Sequence, residues 1–239
     1  MQVIPAVDIM RGKVVRLQRG APSSRKFYEG FGDPLAAARK WEAQGARIIH
    51  IVDLDAALEL GNNTSVIGTI LQNVEASVQI GGGIRTTDMA RALLKMGADR
   101  IVLGSLAFKD PSAVRTLVNE YGKDRIIVAL DHVNGVIMVQ GWKDNSGITV
   151  DDAASRFSEL GVELFVVTSI RHDGTMIGPD LETTARLCRD GFNVIAAGGI
   201  GNLEGLVSLK RLGVHSVVIG KALYEGSFTL AEALRVAEE

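Results

Sequence analysis

Two aspartates stand at matching places in the sequence, each closing an apolar run that is typical of a buried strand. Asp8 ends IPAVD (4–8) and Asp131 ends IVALD (127–131). A carboxylate buried at a strand end loses hydration free energy, so it persists there when it is paired or used in chemistry. Two carboxylates with different pKa values can act as general acid and general base. We therefore expect proton transfer from this pair; capping of a helix or pairing with an arginine is the alternative.

A third aspartate, Asp173, lies in RHDGTMIGPD (171–180), after an apolar run that ends at Thr168. Asp-Gly also fits an ordinary turn, so a catalytic and a structural role are both open for Asp173. Thr168 is placed to hydrogen-bond one of the aspartates. For Asp53 and Asp55, which follow the second apolar run, we expect a structural hydrogen-bonding role at least as much as a catalytic one.

Glycines that follow four of the apolar runs indicate binding sites for anions. Glycine lets the backbone approach an anion closely, and the N-terminus of a following helix directs free N–H groups at it. A tight turn is the simpler explanation of any single glycine pair, but these glycines form two related sets. The expected phosphate contacts are Gly82, Gly83, Gly104 and Ser105 in the first set, and Gly198, Gly199, Gly220 and Lys221 in the second, with Gly178 as a possible addition.

Five further residues are candidates for contact with a substrate or for support of the site. Arg16 and Arg19 lie in a long segment (10–32), and long segments of this kind in compact domains are usually lids or binding loops. Arg85 follows the glycine triplet and reaches either a phosphate or a carboxylate. Trp142 either stacks on a heterocycle or anchors its loop. We expect His50 to be a core or supporting histidine rather than a catalyst.

Composition excludes several classes of function. The chain has 239 residues and a net charge of −2, which gives no sign of a nucleic-acid partner. Cys188 is the only cysteine, and the four histidines lack the spacing of a zinc motif, so neither a disulfide nor a metal site is expected. No signal peptide and no apolar run long enough for a membrane span is found, so we expect a cytoplasmic protein.

The elements that position these residues alternate regularly between strand and helix. Most strand candidates are continuous apolar runs, which indicates a parallel sheet covered by helices on both faces. The predicted strands are 2–8, 47–53, 77–80, 100–104, 126–131, 164–168, 193–197 and 216–220. Helices are predicted at 33–46, 86–99, 110–122, 149–161 and 202–213, several of them with capping residues at the start and a glycine at the end. Eight strands alternating with helices fit a closed (β/α)8 barrel or an open doubly wound sheet.

An internal repeat favours the barrel. Residues 78–108 align with residues 194–224 without a gap. Glycines of the first segment at 82, 83, 97 and 104 align with glycines of the second at 198, 199, 213 and 220. Two copies of a four-stranded half close naturally into an eight-stranded barrel. We therefore predict one α/β domain over 1–239, a (β/α)8 TIM barrel with half-barrels of roughly 1–124 and 125–239, and two phosphate sites on opposite sides of its mouth.

Motifs along the whole chain resemble the family of phosphoribosylformimino-5-aminoimidazole carboxamide ribotide (ProFAR) isomerases of histidine biosynthesis. They are, in order, IPAVDIMRGKVVRLQRG, HIVDLDAAL, IGGGIR, LGSLAF, ALDHVNG followed by GW, TSIRHDGTMIGPD, AAGGI and VIGKALYEG. The resemblance implies an Amadori rearrangement of an aminoaldose to an aminoketose, with no cofactor and no obligate protein partner. It implies Asp8 as the general base and either Asp131 or Asp173 as the general acid, with Thr168 beside them.

One residue departs from the family pattern. Members commonly carry an acidic residue after this threonine, whereas this chain has Ser169, and Thr-Ser-Ile resembles the sister cyclase that makes imidazole glycerol phosphate. The VVRLQRG segment and the pair Gly141-Trp142 resemble the isomerase instead. The isomerase is the prediction; the alternatives are the cyclase and an isomerase that also accepts phosphoribosylanthranilate.

Overall fold

Eight parallel strands form a closed ring in a computed structural model that describes residues 1–239. The strands of the protein are β1 (Gln2–Met10), β2 (Lys13–Gln18), β3 (Ala21–Phe27), β4 (Ile48–Asp53), β5 (Ser77–Gly81), β6 (Arg100–Leu103), β7 (Ile126–Val133), β8 (Val136–Val139), β9 (Asp144–Thr149), β10 (Leu164–Ser169), β11 (Asn193–Ala197) and β12 (Ser216–Ile219). The helices are α1 (Pro34–Ala43), α2 (Leu54–Ala57), α3 (Thr64–Asn73), α4 (Thr87–Met96), α5 (Ser105–Lys109), α6 (Pro111–Tyr121), α7 (Val150–Ser158), α8 (Leu181–Arg189), α9 (Leu203–Arg211), α10 (Lys221–Tyr224) and α11 (Leu230–Glu238), with a 3-10 turn at Glu29–Phe31.

The ring runs β1, β4, β5, β6, β7, β10, β11, β12 and back to β1, and every neighbouring pair in it is parallel. The pairing of β6 with β7 joins the two halves on one side, and the pairing of β12 with β1 joins them on the other. An open sheet would leave two unpaired edges. The predicted (β/α)8 barrel is therefore confirmed.

Apolar side chains fill both faces of this ring. Along β1, Ile4 and Ala6 belong to a small cluster inside the barrel, whereas Val3 and Val7 belong to the large layer between strands and helices. Burial on both faces explains why the strands read as continuous apolar runs in the sequence. No helix is long and apolar enough to cross a membrane.

Capping residues begin the five predicted helices, as the sequence indicates. Each accepts a hydrogen bond from a backbone N–H of the first helical turn; the caps are Asp33, Thr86, Asp110, Thr149 and Asn202. Gly97 ends α4 in the left-handed conformation, which glycine adopts without steric cost. The predicted ends lie one to three residues beyond the observed helices, because the terminal residues belong to the caps and turns.

The internal repeat is visible in the element boundaries. β5, β6 and α5 begin at 77, 100 and 105, and β11, β12 and α10 begin at 193, 216 and 221, so each pair differs by 116 residues. In the ring, β5 and β6 lie opposite β11 and β12. The repeat in sequence therefore corresponds to a twofold arrangement of the barrel.

The segments after β1 and β7 are not the irregular loops that the sequence analysis expects. The first forms an antiparallel hairpin of β2 and β3, the second a hairpin of β8 and β9, and we call them the first and second hairpins. Arg11-Gly12 and Asn134-Gly135 make the turns that lead into them, with positive φ at both residues of each pair. This backbone conformation is that of the tight turns that reverse a strand, so each barrel strand continues into an antiparallel ribbon above the mouth.

Candidate active site

The carboxyl ends of the barrel strands surround a single large cavity of about 810 Å³. Binding sites for small molecules usually have volumes in this range, and barrel enzymes bind substrate at this face. Fifteen of the seventeen predicted site residues line the cavity: Asp8, Asp131, Thr168, Asp173, Arg16, Gly82, Gly83, Arg85, Gly104, Ser105, Trp142, Gly198, Gly199, Gly220 and Lys221. The two that do not are Arg19 and Gly178.

Asp8 is held by Arg16 of the first hairpin. The Arg16 guanidinium lies 2.8 Å from the Asp8 carboxylate, and both side chains are almost fully buried. Burial raises the pKa of Asp8, while the charge and hydrogen bond of Arg16 act in the opposite direction. The ion pair thus opposes the effect of burial on a carboxylate that must be charged in order to accept a proton.

Asp131 lies in the corresponding place in the second half and has different partners. The Trp142 indole donates a hydrogen bond of 2.8 Å to its carboxylate. Burial raises the pKa of Asp131, and the hydrogen bonds of Trp142 and Thr168 oppose the rise. Trp142 therefore anchors the second hairpin to the strand through this carboxylate, one of the two roles left open by the sequence.

Asp173 sits in the segment between β10 and α8, close to both other carboxylates. Burial raises its pKa to about 6, against the opposing charge of Arg16, and the negative charges of Asp8 and Asp131 contribute to the rise. The backbone N–H of Gly174 donates to the Asp173 carboxylate, and no side chain does. A pKa near 6 leaves an appreciable protonated fraction of Asp173 close to neutral pH, as a general acid requires.

The two glycine sets form equivalent cradles on opposite sides of the mouth. Gly82 and Gly83 have φ values of 94° and 69°, and Gly198 and Gly199 have φ values of 85° and 77°. A side chain at Gly83 would collide with the backbone of Ala56. Each cradle is completed by a short helix, α5 or α10, whose first N–H groups lack partners within the helix. Both cradles open into the same cavity.

Each hairpin reaches over the cradle beside it. The Arg16 guanidinium packs directly on Gly220 at the start of α10. On the opposite side, the backbone N–H of Gln140 donates to the Ser105 hydroxyl at the start of α5, at 2.7 Å. Between them, the Trp142 ring lies against Gly20, so the two hairpin ends meet above the cavity. Gly20 and Gln140 were not expected; the signal for Gly20 is the turn dipeptide Arg19-Gly20.

Three other predicted site residues, Arg85, Arg19 and Gly178, make hydrogen bonds within the protein. Arg85 donates to the carbonyl of Ala56 at 2.7 Å and pairs with Glu59 at 3.2 Å, so it braces the segment after β4 while lining the cavity. Arg19 is exposed and its guanidinium donates to the Arg171 carbonyl, 3.2 Å away. The Gly178 N–H already donates to the Gly199 carbonyl at 3.0 Å, which places Gly178 behind the cradle.

His50 lies within the barrel at the floor of the cavity. Gln79 donates to its Nδ1 at 3.0 Å, which leaves the ring proton on Nε2. Burial and then the charge of Arg16 lower the pKa of His50 to about 4, so the ring is neutral at pH 7. The expectation of a buried supporting histidine agrees with this environment, and Gln79 is a partner that the sequence did not indicate.

Asp53 and Asp55 have the structural role expected for them. Both are buried and accept hydrogen bonds from the Asn63 amide, at 2.7 and 2.9 Å. Asn63 in turn accepts the N–H of Gly12 at 2.9 Å, and Asp55 accepts that of Arg11. This network fixes the turn that leads into the first hairpin.

Comparison with known proteins agrees with this geometry. The family profile described as histidine biosynthesis protein matches residues 2–229. A relative from Cenarchaeum symbiosum is 43% identical over 98% of this chain and 99% of its own length. Relatives from Chloroflexus aggregans, at 40% over 100% and 98%, and Nitrosopumilus maritimus, at 36% over 98% and 98%, carry the same name. All three are named as imidazole-4-carboxamide isomerases whose substrate name contains two 5-phosphoribosyl groups. With its fold, its full-length match and its two-sided cavity, this chain belongs to the histidine biosynthesis protein family.

Proposed function

We propose that the protein is the isomerase that converts ProFAR, an aminoaldose with two phosphates, into its aminoketose by an Amadori rearrangement in histidine biosynthesis. The observation that carries the proposal is the position of three partly buried carboxylates between two equivalent anion cradles in one cavity. A ligand with a phosphate at each end would be held by both cradles, with its central ribose over the carboxylates. The names of the relatives support this assignment, because the substrate in those names is bis-phosphorylated.

The reaction requires one acid and one base. The acid protonates the ring oxygen of the aminoaldose while the exocyclic nitrogen lone pair forms the C1=N bond, which opens the ring to a protonated Schiff base. The base then removes the proton from C2; the electrons of that C–H bond form a C1=C2 double bond, and those of the C1=N bond return to nitrogen. The resulting enolamine becomes the ketose when C1 gains a proton and the C2 hydroxyl loses one. No net oxidation occurs and no cofactor is required.

We assign the acid to Asp173 and the base to Asp8. Asp173 has a pKa raised to about 6 by burial, and no side chain holds its charged form by a hydrogen bond. The Arg16 guanidinium, 2.8 Å from Asp8, favours the charged form of that carboxylate. Asp131 accepts the Trp142 hydrogen bond. In this assignment it orients the indole ring of Trp142 and the second hairpin rather than transferring a proton. General acid and base catalysis each contribute about 10²- to 10⁴-fold.

The assignment is tested with the purified chain and ProFAR, with no added protein. The unmodified chain should form the ketose; Asp8→Asn and Asp173→Asn should each lower kcat by at least about 10²-fold while inorganic phosphate still binds. Asp131→Asn should lower it less. If Asp131→Asn is the more damaging of the two candidate acids, the roles of Asp131 and Asp173 must be exchanged.

The alternatives have their own readouts in the same assay. An inert chain that forms an imidazole product from the ketose and ammonia would be a cyclase, and the isomerase proposal would be wrong. Turnover of phosphoribosylanthranilate alongside ProFAR would make the chain a dual-substrate isomerase. The single phosphate of that second substrate would occupy one cradle only.

A further inference from the structure

His132 is a buried titratable residue that the proposed chemistry does not use. It directly follows Asp131 on β7, so its side chain points away from the cavity, toward the helices. Only 1% of the side chain is exposed. A polar ring at such a position is costly to bury unless its nitrogens have partners, and the partners of His132 lie in two segments that carry site residues.

The first partner is the turn into the second hairpin. The backbone N–H of Gly135 donates to Nδ1 of His132 at 3.2 Å. Because Nδ1 accepts, the proton of the neutral ring is on Nε2. The second hairpin that begins at this turn carries Trp142, the residue that donates to Asp131.

The second partner is the segment 170–180, which carries Asp173. The Nε2 atom is buried and lies 3.6 Å from the carboxylate of Asp180, slightly beyond direct hydrogen-bond distance. Asp180 also begins α8, where it accepts the N–H of Thr183 at 3.1 Å. At the other end of the segment, the N–H of Ile170 donates to the His132 carbonyl at 3.0 Å. His132 is thus beside both ends of the segment.

Burial favours the neutral form of the ring. Burial lowers the pKa of His132; Asp180 and Asp151 oppose this effect, whereas Arg186 and His172 add to it. The neutral form is also the one that the geometry requires, because a proton on Nδ1 would remove the acceptor for Gly135. A neutral ring can accept from the hairpin and donate toward Asp180 at the same time.

We propose that His132 is a positioning residue for the isomerase reaction, which fixes the second hairpin and the segment 170–180 against β7. Through the hairpin it holds Trp142 on Asp131, and through the segment it holds Asp173 over the substrate. The proposal rests on the proposed function, since it assigns the two aspartates to one reaction.

Three substitutions separate the two contacts of the ring. His132→Asn keeps an acceptor near Nδ1, His132→Gln keeps a donor near Nε2, and His132→Phe keeps only the volume. We expect His132→Phe to lower kcat about tenfold or more with KM nearly unchanged, because a displacement of about 1 Å in catalytic groups costs up to 10²-fold. The Asn and Gln variants should each recover part of the loss.

A matched control is His215→Phe, at the start of β12 and the opposite end of the barrel, where the ring contacts Ser216. It should lower the thermal unfolding temperature without lowering kcat at a temperature where the protein is folded. Unchanged kcat in both His132→Gln and His132→Asn, or equal kcat losses at His132 and His215, would overturn the proposal. If His132→Phe does not fold, the kcat values of His132→Gln and His132→Asn decide the question.

A second readout is independent of turnover. In a Trp41→Phe background, Trp142 is the only tryptophan, and its fluorescence reports the position of the second hairpin. His132→Phe should shift this emission toward that of exposed tryptophan, even if the unmodified chain does not isomerise ProFAR. An unshifted emission of His132→Phe would overturn the positioning role. A shifted emission of this variant, together with an unmodified chain that does not isomerise ProFAR, would overturn only the proposed function.

Discussion

Three carboxylates of the same chemical type face one cavity, and their partners give them different protonation behaviour. Asp8 pairs with an arginine, Asp131 accepts an indole N–H, and Asp173 accepts the backbone N–H of Gly174. Carboxylates with environments that separate their pKa values can share acid and base roles. The difference arises from neighbours contributed by other segments, above all the two hairpins.

The raised pKa of Asp173 makes a prediction about stability. Its folded-state pKa of about 6 lies above its unfolded value, so its charged form destabilises the fold. Below the unfolded pKa the group is protonated in both states and costs nothing; the cost grows as the pH rises from the unfolded pKa of 3.8 to about 6 and is complete above that. We expect Asp173→Asn to be more stable than the unmodified protein at pH 8, by up to roughly 3 kcal/mol, and similar at pH 4. Urea unfolding at the two pH values measures this, and equal stabilities at pH 8 would contradict it.

The indole of Trp142 makes a second prediction at this scale. Trp142→Phe keeps an aromatic ring against Gly20 but removes the hydrogen bond to Asp131. Hydrogen bonds to charged groups contribute about 1.5–3 kcal/mol, so we expect kcat/KM to fall at least about tenfold. Trp41→Phe is the matched control, because its indole donates to Tyr224 outside the cavity. Steady-state kinetics of both variants decides; equal losses would mean that the Asp131 contact has no special role.

At the scale of elements, the two hairpins convert an ordinary barrel mouth into a covered cavity. Each extends the first strand of its half, covers the neighbouring cradle and meets the other at Gly20 and Trp142. The base of the first hairpin is fixed by the backbone N–H groups of Arg11 and Gly12, which donate to Asp55 and Asn63, and that of the second by the N–H of Gly135, which donates to His132. Different residues thus fix the base of the hairpin in the two halves.

Asn63 is the residue on which the base of the first hairpin depends. It donates to both buried aspartates and accepts from Gly12. Asn63→Ala leaves those groups without partners, so we expect a loss of about 2–4 kcal/mol in the free energy of unfolding. Asn62→Ala, at an exposed neighbour, should cost much less. Chemical denaturation of both variants tests this, and a loss below about 1 kcal/mol for Asn63→Ala would show that water replaces the network.

At the scale of the whole molecule, two related halves each contribute one cradle and part of the carboxylate set. The proposed boundary at 124/125 falls in the exposed turn Gly122–Asp124, between α6 and β7. The first half holds Asp8, and the second holds Asp131 and Asp173. Neither half alone can therefore supply both the proposed base and the proposed acid.

Separate expression of the halves tests the boundary. We expect 1–124 and 125–239 to associate when produced together, because each half alone exposes the strand edges that pair in the ring, β7 against β6 and β12 against β1. The associated pair should recover ProFAR turnover, and each half alone should have none. Size-exclusion chromatography with an activity assay measures both; active single halves would contradict the division of the carboxylates.

The sequence alone determined the barrel strands, five of the helices, the repeat of the halves and the place of Asp8 and Asp131, because apolar periodicity, helix caps and glycine turns are local signals. It predicted both cradles for the same reason. Other features were decided only by tertiary structure: the hairpins in place of loops, the pairing of Arg16 with Asp8, the exposure of Arg19, and the use of the Gly178 N–H behind Gly199. These features depend on contacts between segments far apart in the chain, which no local pattern records. Asp173 shows the division most clearly, since its sequence fits an ordinary turn and only burial beside two other carboxylates raises its pKa.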